Sequence, residues 1–204
     1  MRSLLAGLWL THSLFAVTET QHAFEFSARI AEKVSLNLQS RFRTEPATLG
    51  IYQIRFGPIV TYRWKPKLSL IGGYYFGRQQ AEDGDFVGGH RWFGGGESML
   101  RRRPRWEVDV RGLIERFGPR NASDFTRYRG RIRWSARGKI APFTSQELLA
   151  DQSGFRSVRL AAGVRFQVSQ QVQAEVGYFF EPRRRDVGPN RHMWTTLIHF
   201  RQRS

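Results

Sequence analysis

Strand-length segments of this chain place apolar side chains on even-numbered positions and polar ones on odd-numbered positions, and they keep that parity from residue 24 to residue 200. In 158–168 the even positions are Val158, Leu160, Ala162, Val164, Phe166 and Val168, while Arg159, Arg165 and Gln167 stand between them. After Ser169, Gln170 and Gln171 the pattern resumes with Val172, Ala174, Val176, Tyr178 and Phe180, and it closes in 192–200. A period of two marks a β-strand with one apolar and one polar face, and two such runs joined by a short link form an antiparallel hairpin.

The same parity recurs in 24–30, 34–42, 52–64 (with Tyr52 through Trp64 on the apolar face), 68–76, 106–114 and 128–136. A slip of one residue would turn a strand's whole apolar set to the other face, so retained parity means that one continuous wall is being built. The links 31–33, 65–67, 137–139 and 169–171 are tight, whereas 44–50, 78–89, 118–124, 151–156 and 181–191 are longer and rich in Gly, Pro, Asp and Asn. Short turns alternating with long loops are the habit of outer-membrane barrels.

Two segments fit the pattern less well. Residues 90–100 contain Gly94, Gly95 and Gly96, which suggest a bend or bulge, and 141–150 shows no clean alternation after Pro142. Counting both gives about eleven strands, within a range of 10 to 12, whereas single-chain bacterial barrels have even numbers. A further strand at 16–21, or a different count near Gly94, is therefore expected.

No run approaches the roughly 18 apolar residues of a membrane-spanning helix, but a barrel strand needs only about 9 to 11 residues, half of them polar. A soluble barrel or sandwich would use the even positions as its core. Long strands, and Trp64, Trp106, Trp134, Tyr178 and Trp194 near strand ends, favour lipid outside. The fold class expected is all-β, an antiparallel up-and-down transmembrane barrel. Residues 1–16, with Arg2, an apolar centre and Ala16 at the end, read as a signal peptide leading to the cell outer membrane, and 17–204 as one barrel domain.

Thirty-three Lys and Arg against 17 Asp and Glu give a formal charge of +16. Such a surplus ordinarily raises nucleic acid as a partner, but most of these charges are arginines on alternate strand residues, where they line a face. Nucleic acid is not expected. Parity sends Arg55, Arg63, Arg127, Arg129, Arg131, Arg133, Arg159 and Arg165 into the lumen, with Glu107, Asp109, Glu115 and Glu175 as acidic partners. Four arginines in a row on 127–133 repel one another unless carboxylates or anions sit among them. The expectation is a small anion-preferring pore or anion-binding barrel. The alternatives are a non-conducting structural barrel packed with Arg–carboxylate networks and a soluble basic β-barrel binding module. Expected partners are outer-membrane lipid, lipopolysaccharide and small anionic solutes, with the protein a monomer.

Cysteine is absent, which removes disulfides and Cys-ligated metals. The five histidines show no ligand spacing, and no Gly-x-Ser-x-Gly or phosphate loop occurs, so no enzyme, metal or cofactor is expected. Ser98 or Ser145 with His90 is the one catalytic pairing worth testing. Asn121-Ala122-Ser123 matches a glycosylation sequon.

Short motifs spread over almost the whole chain after residue 16 resemble an uncharacterised family of Gram-negative outer-membrane β-barrels, a domain of unknown function. They are Val34-Ser35-Leu36-Asn37-Leu38 with Arg41-Phe42-Arg43, residues 56–62, Leu68-Ser69-Leu70 with Gly73-Tyr74, His90-Arg91-Trp92-Phe93, Glu115-Arg116-Phe117, Arg127-Tyr128-Arg129 and the closing 159–200. The resemblance implies a barrel and a location. It implies no activity and no functional residue.

Overall fold

A computed structural model describes residues 17–45, 50–81, 84–118 and 125–202. The expected signal peptide and the sequon at Asn121 lie outside the described residues. Eleven strands follow one another: β1 (Val17–Ala31), β2 (Val34–Glu45), β3 (Gly50–Lys65), β4 (Leu68–Gln80), β5 (Phe86–Arg102), β6 (Trp106–Phe117), β7 (Phe125–Ala136), β8 (Ile140–Asp151), β9 (Gly154–Gln167), β10 (Val172–Glu181) and β11 (Arg191–Arg201). A single 3₁₀ turn, Arg185–Val187, interrupts the last loop.

The sheet closes into a barrel in which consecutive strands pair antiparallel and β1 meets β11 parallel, from Val17↔Arg191 to Ser27↔Arg201. This corrects two expectations. The count of eleven needs no repair, because an odd number closes through one parallel seam. Residues 17–21 are not a further strand; they are the opening of β1. Both seam strands start at the same end of the barrel, where the longer loops gather.

Alternation decides which residues face outward. Every exposed large apolar side chain occupies an even position except Ile51 and Phe155. Those two follow from register shifts, between Arg43 and Thr44 on β2 against β3, and between Leu149 and Ala150 on β8 against β9. A bulge inserts one unpaired residue and reverses the facing of what lies beyond it. Tyr52, expected outside, is accordingly buried beside Gln53 and donates a hydrogen bond to Glu19.

The Gly94-Gly95-Gly96 segment is not a bend either. It pairs in unbroken register with Ile114, Leu113 and Gly112, and the shift in β5 comes later, between Met99 and Arg101. At Gly95 the strands approach so closely that a Cβ would stand 2.0 Å from the Gly112 carbonyl oxygen. In β8, Ala141, Phe143, Glu147 and Leu149 are buried while Ile140, Pro142, Thr144 and Leu148 are exposed, so alternation holds there too. Apolar residues on both faces had concealed it. The 151–156 link, expected to be long, reduces to Gln152 and Ser153 between β8 and β9.

Inside, Tyr75, Phe93 and Leu113 form an apolar cluster with Ile59 and Ile71 packed against it. The Phe93 ring lies over Gly73, where a Cβ would come within 2.3 Å of it. Barrels of about eight strands are filled by ordinary side chains, and those of 16 or more leave a water channel. Eleven strands leave a lumen that arginines and aromatic rings can span.

Candidate functional site

Strand β7 carries Arg127, Arg129, Arg131 and Arg133 on its inward face, as parity requires. Each finds a carboxylate. Glu115 of β6, with its side chain wholly buried, receives Arg91 of β5 at 3.1 Å, Arg127 at 2.5 Å and Arg129 at 2.8 Å. Arg129 also reaches Glu147 of β8 at 2.5 Å, Glu147 receives Arg159 of β9 at 2.9 Å, and Arg159 reaches Glu181 of β10 at 2.8 Å. Charged groups thus run without interruption from β5 to β10. Arg131 bonds Asp109 at 2.9 Å, and Arg133 reaches three strands across to Glu175 at 2.7 Å.

Several expected lumen residues stand elsewhere or do less. Arg63 is exposed at the turn end, where it donates to the Glu32 carbonyl at 3.0 Å. Glu107 pairs with Arg102 at 3.7 Å rather than with the ladder. Arg165 faces inward near the turns and, among the described residues, donates to the Ala136 carbonyl alone, at 3.4 Å. Conversely, Arg91, Glu147, Glu181, Glu97 and the Glu19–Arg191 pair join the interior network unforeseen. Arg91 and Glu147 occupy odd positions in the two segments whose alternation had looked broken. Extending the parity through them finds both.

The proposed serine–histidine pairings are not assembled. His90 points outward and is hydrogen-bonded with the Tyr74 hydroxyl. Ser145 lies on the inward face of β8, opposite Ala161 of β9. Ser98 is eight residues further along the same strand as His90, roughly 26 Å away.

On the side of the barrel formed by β2, β3 and β4 the balance of charge changes. From Val34 to Ala81 the sequence contains a single carboxylate, Glu45, yet Arg41, Arg43 and Arg55 point inward. Arg41 bonds Gln39 at 3.1 Å and Arg43 bonds Gln21 at 3.0 Å. Among the described residues none of the three has a carboxylate partner. Below the loops, Arg55, Arg91 and Arg127 together line a cavity of about 210 Å³ that includes Gln53, Tyr75 and Phe117.

Among solved structures, the beta domain of the Bordetella autotransporter BrkA is similar, at 17% identity over 81% of this chain and 82% of that one, with a TM-score of 0.46. No curated protein matches the chain. A family described as "Protein of unknown function (DUF2490)" matches residues 17–191, which take in ten strands and the first residue of the eleventh, and the chain belongs to that family.

Proposed function

We propose that this protein is a monomeric outer-membrane barrel of the Gram-negative envelope that holds anions in its interior and does not conduct them. The observation carrying this reading is the chain Glu115–Arg129–Glu147–Arg159–Glu181, which ties half the wall together through the lumen. Each guanidinium of this chain is charge-paired with two carboxylates at once, which holds it in place, so the pairs occupy the space through which an ion would pass. The anion-preferring pore is the weaker reading because the ladder's charge is already met by carboxylates.

The apolar outer wall supports burial in lipid, with Trp64, Trp92, Trp134 and Trp194 exposed on it. Outer-membrane lipid and lipopolysaccharide are then its immediate neighbours. Closure leaves no unpaired strand edge among the described residues, which favours a single copy. The unassembled Ser98, Ser145 and His90 support a non-catalytic role.

Planar-bilayer recording tests the reading directly. The barrel is expected to insert, migrate faster unheated than boiled on a gel, and pass no measurable current. Steady anion-selective conductance would restore the pore. Screens for phospholipid, ester and glycan hydrolysis should find no turnover, and an activity lost in His90→Ala would end the non-catalytic reading.

A further inference from the structure

The surplus positive charge of the interior is concentrated in one place. Arg41 of β2 and Arg55 of β3 are direct register partners, and like charges set opposite each other across an antiparallel pair repel. Arg111 and Arg131 are opposed in the same way on β6 and β7, but Glu97 and Asp109 lie between them. Among the described residues no carboxylate forms an ion pair with Arg41 or Arg55. Facing them, Arg91 and Arg127 must share Glu115 with Arg129.

The chamber lined by Arg55, Arg91 and Arg127 also has polar atoms without partners. Among the described residues the Nε of Arg91 is buried and bonds to nothing, and the same holds for the Nε of Arg41 beside Arg55. A buried donor left unmatched is costly and calls for an acceptor. The guanidinium groups lie over aromatic rings whose edges border the chamber. The Arg127 guanidinium lies 4.7 Å from the centre of the Phe117 ring and that of Arg91 4.8 Å from Tyr75. Phe117 is stacked on Phe125 at 4.3 Å.

We propose that this loop-end chamber is a binding site for a small organic phosphate monoester with one flat ring. The proposal rests on the closed-barrel reading and gives its anion a place and a class. A phosphate monoester brings a charge of about −1.5 to −2 and three acceptor oxygens, enough to serve three guanidinium forks, where a carboxylate brings one charge. Its ring lies against the edges of Phe117, Phe125 and Tyr75, since the faces of Phe117 and Tyr75 are taken by Arg127 and Phe125 and by Arg91 and Phe93. At about 210 Å³ the cavity is smaller than the pockets of about 300 Å³ and upward that take drug-sized molecules, which limits the ligand to one ring.

Isothermal titration of the refolded protein in alkyl maltoside micelles, with phenyl phosphate, inorganic phosphate and benzoate as probes, tests this. Phenyl phosphate should bind tightest and benzoate weakest. Arg55→Gln should weaken phenyl phosphate by about tenfold or more, the loss of one charge-assisted hydrogen bond, and Arg165→Gln, near the turns, should not. Phe125→Leu should weaken phenyl phosphate while leaving inorganic phosphate unchanged. Because Arg55 has no carboxylate partner, Arg55→Gln should also raise the unfolding midpoint of the ligand-free barrel, which separates lost binding from lost folding. No phosphate binding in a barrel that passes no current overturns the chamber and spares the closed-barrel reading. Binding in a barrel that conducts does the reverse, and binding unchanged by Arg55→Gln also overturns the site.

Discussion

Replacing Glu115 by Gln removes one charge from the point where three arginines meet and keeps the side chain's shape. Four contacts change: Arg91 at 3.1 Å, both Nε (2.6 Å) and a terminal nitrogen (2.5 Å) of Arg127, and Arg129 at 2.8 Å. Arg129 retains Glu147 at 2.5 Å, whereas Arg91 and Arg127 lose their only carboxylate among the described residues. The new amide also turns an N–H toward a guanidinium, donor against donor. Removing one partner of a buried ion pair costs about 3–5 kcal/mol, because the remaining charge stays buried. Arg91 and Arg127 are both stranded here, so the upper part of that range is expected. The control is Glu107→Gln, whose partner Arg102 is 3.7 Å away with a side chain 60% exposed; such pairs contribute about 0–1 kcal/mol. Both variants are refolded into lipid vesicles and unfolded in urea, followed by tryptophan fluorescence, and the free energies extrapolated to water are compared. Equal losses for the two variants would refute the claim that the network at Glu115 is what joins the wall.

Arg introduced at the outward Val60 should cost about 2–4 kcal/mol near the bilayer midplane, while Arg165→Gln, which gives up one 3.4 Å contact to a carbonyl, should cost about 1 kcal/mol or less in the same assay. Gly95→Ala should abolish the heat-shifted folded band, since its Cβ would strike the Gly112 carbonyl at 2.0 Å; Gly130→Ala, with nothing within 4 Å, should keep it. In the last loop, Arg184 bonds Asp186 at 2.6 and 2.8 Å and holds its carboxyl below the usual carboxylate range. A depressed folded pKa contributes stability that is present above the unfolded value of about 3.9 and lost as pH falls through the folded one, so the clasp should persist at neutral pH and open only in strong acid, read from the Asp186 carboxyl by NMR titration.

The wall of the barrel was legible because its outer face and its lumen impose opposite demands on adjacent residues. Leu160, Val164 and Phe166 could be assigned outward from spacing alone. Legibility failed where both faces are apolar or neither is large. Phe143 and Leu149 inside β8 mimic its outward Leu148, and the glycines of β5 give no side chain to read. Tyr52 was misassigned because a bulge changes parity without leaving a mark in the sequence. The ladder 127–133 was visible, but its carboxylates come from strands up to three positions around the wall, and pairing over that distance depends on curvature and stagger. The uneven distribution of acids was open to reading as well: between Val34 and Ala81 the inward arginines have Glu45 as the single acid of their own run.

The parallel seam bears on how the barrel is made. Ten of its strand pairings join neighbours in the chain, and hairpins of that kind form from local encounters, but the eleventh brings together residues such as His22 and Thr196, 174 positions apart. Each doubling of loop length adds about 0.6 kcal/mol to closure, so joining this seam is about 2.4 kcal/mol less favourable than closing a loop of about 11 residues. It is expected to zip last, with two strand edges waiting unpaired until it does. Growth or loss by whole hairpins changes the count by two and leaves it odd. A descendant of this barrel that gained a hairpin would inherit the seam, and only the addition or removal of a single strand, which moves one end of the sheet to the opposite end of the barrel, could abolish it.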